Sequence, residues 1–157
     1  MDGSVAIREH RHPAGYLLSS DPARLDMAVV HGYLTRSYWS PGIDRERVER
    51  AARHSLAYGL YRPDGGQIGY ARVVTDHATI AYLADVFVLE EARGNGLGTW
   101  MVEAVVQDPG LADLRRWLLF TRDAHGLYAR FRFGPLADPD KAMVRLSAIA
   151  APSTSTG

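Results

Sequence analysis

Glycines at 94, 96 and 98 punctuate the run Arg93-Gly94-Asn95-Gly96-Leu97-Gly98, and their spacing is the first sign of chemistry in this chain. Upstream, Tyr82 to Leu89 is an apolar stretch with β-branched and aromatic residues, which predicts a strand buried on both faces. Downstream, Leu97, Trp100, Met101, Ala104 and Val105 recur at helical spacing. A strand that turns through glycines into a helix aims free main-chain N–H groups at an anion. The first-turn amides of a helix lack internal partners, and the aligned peptide dipoles add partial positive charge there. Glycine permits positive φ and lets a phosphate approach the backbone with no Cβ in the way. The backbone of Arg93 to Thr99 is therefore expected to seat a phosphate-bearing ligand.

Two familiar glycine-loop chemistries fit poorly. A P-loop requires a lysine after its last glycine, and none follows here. A dinucleotide fingerprint spaces its third glycine one residue later and opens a first strand–helix–strand unit, whereas this loop sits mid-chain behind what read as hairpins. A third pattern, Arg/Gln-x-x-Gly-x-Gly/Ala, is met by Arg93 to Gly98. Farther on, Leu127-Tyr128-Ala129-Arg130-Phe131, with Phe133 and Gly134, follows a β-type run. Together these segments resemble the coenzyme A loop and the Leu-Tyr-x-x-Phe-Gly-Phe signature of the GCN5-related N-acetyltransferases (GNAT), a likeness that spans about residues 15 to 147. One departure stands out: Arg132 occupies the place of the glycine usual after the phenylalanine. It predicts a differently shaped turn at the acyl end, and it keeps in play a non-catalytic acyl-CoA-binding or sensing module of the same fold.

The resemblance implies a mixed α/β (α+β) fold, a mostly antiparallel twisted sheet of six or seven strands flanked by about four helices. It implies acetyl-CoA as co-substrate with no metal. Its pyrophosphate would rest on Arg93, Gly94, Asn95, Gly96, Leu97, Gly98 and Thr99, and the thioester carbonyl would meet a main-chain N–H near Phe87 or Val88. Tyr128 is placed close to the cofactor sulfur. A phenol with a pKa of ~10 stays protonated where a thiol of ~8.5 does not, so Tyr128 can donate to a departing thiolate. An alkylammonium acceptor with a pKa of ~10.4 needs a base. Asp85, a carboxylate interrupting an apolar strand, must be paired or functional and is the candidate to take that proton or to hold the cation. Tyr38 and Trp39, in an aromatic loop broken by Pro41-Gly42, and His125, just ahead of Tyr128, are candidate acceptor-site residues. Glu90 and Glu91 are expected to be solvated or capping, and His54 and His77 structural.

The chain has 157 residues, enough for one domain with a real core. Its 18 basic residues balance 18 acidic ones, so no global field selects nucleic acid or anionic lipid. It holds no cysteine, which excludes disulfides, thiolate metal sites and cysteine nucleophiles and suits a reducing cytoplasm. No apolar run approaches the ~20 residues of a membrane helix, and the N-terminus has no signal-peptide core. The resemblance implies a small-molecule amine as partner, the charge balance and hydropathy argue against nucleic acid or a membrane, and the protein is expected to be a monomer or homodimer.

In order along the chain, residues 1–13 are expected to be flexible, with His10 and His12 solvated and not metal ligands. Residues 14–149 form the acetyltransferase domain, and 150–157 a disordered tail. The expected elements are a strand over 15–19 and a helix over 23–35 capped by Asp21. A helix over 44–55 capped by Asp44 comes next, then strands over 56–62 and 67–75 joined at Pro63-Asp64-Gly65-Gly66. The strand 79–89 leads into the loop, and its helix stops at Asp108-Pro109-Gly110. A buried strand over 116–121, a short helix over 125–130 and a last strand over 141–147 complete the reading.

Overall fold

Turn chemistry lays down the first sheet strands. The structure, a computed structural model, describes residues 6–148. Strand β3 (Leu56–Tyr61) turns through Pro63 to Gly66 into β4 (Gln67–Thr75), with Gly65 at φ 98° and Asp64 Oδ1 accepting from the Gly66 amide at 2.9 Å. Asp76 organises the next turn by accepting from the amides of Ala78 and Thr79 and from the Thr79 hydroxyl, and β5 (Ile80–Val88) follows. Two short strands, β1 (Glu9–Arg11) and β2 (Leu17–Ser19), extend the other edge, and β6 (Arg116–Leu119) pairs in parallel with β5. The six strands among the described residues lie in sequence order, antiparallel except for that last pair.

Among the described residues four α-helices cover the sheet. On one face α1 (Met27–Leu34) and α2 (Arg45–Arg53) bury Val30, Leu34 and Val48 against Ala57, Tyr70 and Phe87. On the other, α3 (Leu97–Val106) packs Leu97, Met101, Val102 and Val105 against Leu18, Tyr58, Leu60 and Ile68. The α4 helix (His125–Ala129) adds Tyr128 to the same core. Neighbours Ala57/Tyr58, Tyr70/Ala71 and Phe87/Val88 divide between the two faces, as the two-residue period of a strand requires. Among the described residues no helix is long and apolar enough to cross a membrane.

Four expectations are corrected. The segment expected to be flexible, residues 1–13, contributes Glu9–Arg11 as an edge strand. Behind it Asp108, 1% exposed, accepts from Tyr58 at 3.0 Å and the Gly110 amide at 2.9 Å, and faces Arg8 and His10 at 3.4 and 3.3 Å. A buried carboxylate needs such partners, so His10 is a tether and not a solvated histidine. His12 packs edge-on against Tyr16 and Trp100. The helix expected over 23–35 is divided: Asp21 caps a single 3-10 turn (Pro22–Arg24), and Asp26 caps α1 through the amides of Ala28 and Val29. Two capping aspartates five residues apart each start their own element. The strand expected over 141–147 does not form; beyond a 3-10 turn at Pro139–Lys141 the described chain is exposed. Among the described residues it pairs with no strand of this sheet. Residues 1–5 and the tail expected to be disordered, 150–157, lie outside the described residues.

Candidate active site

The cleft begins where two strands part. Pairing between β5 and β6 runs from Ile80↔Arg116 to Leu83↔Leu119 and stops, while β5 continues to Val88. At the same point β5 bulges: Tyr70 faces Phe87 and Arg72 faces Ala84, so Asp85 and Val86 together oppose Ala71. Asp85 takes φ 55°, a left-handed conformation that aspartate tolerates better than most residues. Beyond the bulge, the Leu89 amide donates to the Ile68 carbonyl at 2.8 Å. Successive strand residues alternate their hydrogen-bonding sides, so the N–H and C=O of Val88 face the gap that β6 has left. There the Val88 carbonyl accepts from Arg93 Nε at 2.8 Å. The gap widens into a cleft of about 1240 Å³, larger than most small-molecule pockets.

The glycine loop forms its floor. After a 3-10 turn at Glu90–Ala92, Gly94 (φ 93°) and Gly96 (φ 73°) reverse the chain into α3. The first helical amide to find an acceptor is Trp100, which donates to Gly96. Among the described residues no acceptor meets the main-chain N–H groups of Gly94 to Thr99. A Cβ built on Gly94 or Gly96 would meet no atom within 4 Å. These glycines therefore leave room outside the protein, not inside it.

Tyr128 forms a wall on the α3 side. It is 9% exposed, lies edge-on to Phe133, and burial, reinforced by Tyr38, pushes its phenol up to about 12. Opposite stands Asp85, whose Oδ2 accepts from Arg72 Nε at 2.8 Å and whose Oδ1 accepts from Trp39 Nε1 at 2.9 Å. Arg72 also donates to Ser55. The aromatic loop is pinned across the opening: the Tyr38 hydroxyl accepts from the Arg122 amide at 3.1 Å, and the Arg122 guanidinium lies 3.8 Å from the Tyr38 ring centre. Tyr33 stacks on Phe87 at 4.0 Å and accepts from Arg93 at 2.8 Å. Arg36 grips Glu90 through two hydrogen bonds of 2.6 and 3.0 Å, and this pairing holds the Glu90 carboxyl down at about 2.

Of the residues singled out in the sequence, Tyr38, Trp39, Asp85, Phe87, Val88, Arg93, Gly94, Gly96, Leu97, Gly98, Thr99 and Tyr128 converge on this one cleft. Asn95 and His125 do not line it; both are exposed, Asn95 at the loop tip and His125 at the start of α4. Glu90, expected to be solvated or capping, pairs with Arg36 at the cleft edge. Sequence reasoning missed Arg36, Arg72, Tyr82, Phe120 and Arg122 as lining residues. For Arg72 a signal existed, since counting back from the Asp76 turn sets it across from the Asp85 bulge.

Comparisons with known proteins agree with this geometry. Residues 54–134 match the model of the acetyltransferase (GNAT) domain. A Gibberella zeae protein bearing the acetyltransferase name is 30% identical over 135 residues, covering 73% of this chain and 76% of that one. A crystal structure of a GNAT-family acetyltransferase from Xanthomonas campestris pv. campestris superposes with a TM-score of 0.81 at 44% identity, covering 84% of this chain and 93% of that one. The fold also matches, at 15% identity and a TM-score of 0.63, a Clostridium acetobutylicum acetyltransferase solved with acetyl-CoA, covering 87% of this chain and 97% of that one. On the domain match, the relative and the parted strands alike, this chain belongs to the GNAT acetyltransferase family.

Proposed function

We propose that the chain is an acetyl-CoA-dependent N-acetyltransferase that acylates the primary amine of a small acceptor by direct attack in a ternary complex. The observation that carries this reading is the row of unpartnered amides from Gly94 to Thr99 beside a gap between β5 and β6. A diphosphate satisfies the first, and a narrow pantetheine arm fits the second. When bound, acetyl-CoA would supply an activated acetyl thioester. The Gly94–Thr99 amides would bind its diphosphate, and the Val88 N–H, turned into the gap, would polarise the carbonyl.

Asp85 would hold the incoming ammonium and accept its proton. Arg72 and Trp39 fix this carboxylate while leaving each oxygen a second lone pair. As the new C–N bond forms and the C–S bond breaks, the Tyr128 hydroxyl would protonate the sulfur. Its raised pKa keeps that proton in place throughout the working pH range.

The test is a thermal-shift series followed by free-thiol release over polyamines, aminoglycosides, amino acids and peptide N-termini. Acetyl-CoA at 100 times its Kd should stabilise the fold by ~2.7 kcal/mol, and NAD or ATP should not. No shift with acetyl-CoA would sink the donor assignment. A shift without thiol release for any amine would leave a binding module in place of an enzyme.

A further inference from the structure

The helices α1 and α2 cover only part of their sheet face, closing over Ala57, Tyr70 and Phe87. Two residues past Tyr70 on β4 stands Arg72, and two past that Val74, on the same face by the period of a strand. Val74 lies directly across from Tyr82, which in turn lies beside Leu118 on β6. There the face is open: Val74 is 40% exposed, Ile80 38%, and Phe120, just past β6, 75%. Single exposed hydrophobics are ordinary, but a contiguous patch marks a binding surface. This patch runs into the cleft, because Tyr82 and Phe120 line it and lie edge-on to one another at 5.9 Å. A second edge-on pair, Tyr38 with Trp39 at 5.1 Å, lines the same cleft, and its indole N–H reaches Asp85. The Tyr38 hydroxyl accepts from the amide of Arg122, two residues past Phe120, so both pairs frame one space.

Charge narrows what can lie there. Arg36, Arg72, Arg93 and Arg122 line the cleft, and among the described residues its carboxylates are Asp85 and Asp123. Asp85 is paired with Arg72 at 2.8 Å and Asp123 with Arg122 at 3.8 Å. One ammonium can share Asp85 through its remaining lone pairs, whereas a second would meet guanidinium groups. That works against polyamines and aminoglycosides and in favour of a single amine on an apolar body. An aromatic body gains most, since rings set edge-on or offset against the Tyr and Phe side chains add to the area they bury. We propose that the acceptor is a monoamine of the arylalkyl class, its nitrogen at Asp85 and its ring packed against the Tyr82–Phe120 and Tyr38–Trp39 pairs. This assignment rests on the acetyltransferase reading above.

Titration calorimetry of the full chain, with coenzyme A in place of the acetyl donor, tests the assignment without turnover. Phenethylamine should bind at least about tenfold tighter than propylamine, which carries the same ammonium without the ring. It should also bind tighter than spermidine. Phe120→Ala should abolish the preference for the ring. Because Phe120 is exposed, that variant should keep its circular dichroism and its thermal stabilisation by acetyl-CoA. Equal affinity for the two monoamines, tighter binding of spermidine, or a preference that survives Phe120→Ala would overturn the proposal. Binding with the expected preference, but no thiol release from acetyl-CoA, would uphold the aromatic pocket and sink acetyl transfer instead.

Discussion

Tyr128 is the residue on which chemistry and binding can be separated. Its hydroxyl faces a cleft whose grip on coenzyme A would come from main-chain amides elsewhere, so removing the hydroxyl should leave donor affinity nearly intact. Tyr128→Phe is expected to lower kcat by about 10²-fold, at the low end of general-acid effects, with KM for acetyl-CoA changed less than about twofold. Steady-state kinetics with a thiol reagent gives both numbers, and wild-type kcat in the variant would remove Tyr128 from the reaction. Arg132 teaches a different lesson at this scale. The sequence suggested a turn reshaped by the missing glycine, yet Arg132 sits at φ 68°, in the left-handed region glycine favours. The backbone keeps the glycine-type turn and carries the strain that an arginine brings to it.

At the scale of elements, the loop between β5 and α3 was legible because every signal for it is local. Glycine spacing, the apolar strand before it and the helical period after it lie within about twenty residues of one another. The strand hairpins and the Asp44 cap were readable for the same reason. What escaped the sequence depends on pairing at a distance. The strand Glu9–Arg11 exists because it meets Leu17–Ser19 and is anchored through Asp108, far along the chain. Nothing in its own residues announces that. The loop also offers a sharp test. Gly96→Ala places a Cβ in open space at φ 73°, so its cost to folding is conformational, roughly 1–2 kcal/mol. That methyl would stand where a diphosphate should lie. The variant should fold, melt a few degrees lower, and lose most of the stabilisation by acetyl-CoA in a thermal-shift titration. Undiminished stabilisation would mean that the diphosphate lies elsewhere.

Across the whole molecule, buried tyrosines set an alkaline limit. Burial raises the phenols of Tyr58, Tyr61, Tyr70 and Tyr128 above their ordinary value. In the unfolded chain each ionises near ~10. Below that pH both states hold the proton and stability is unaffected. Above it the unfolded chain gains by ionising while the folded one cannot, so stability falls as pH rises. Melting points taken from pH 8 to 11.5 should hold to about 10 and then drop steeply; a flat profile would place these phenols in water.

The parting of β5 from β6 has one more effect. It splits the machinery between two lengths of chain that can change independently. Everything that would recognise the donor lies on β5, the glycine turn and α3. Much of what would greet the acceptor comes from the Tyr38–Trp39 loop and the Phe120–Arg122 corner, which meet β5 where Trp39 donates to Asp85 and Phe120 lies edge-on to Tyr82. New specificities could therefore arise by rewriting those two corners while the thioester seat stays as it is, and one scaffold could serve many amines.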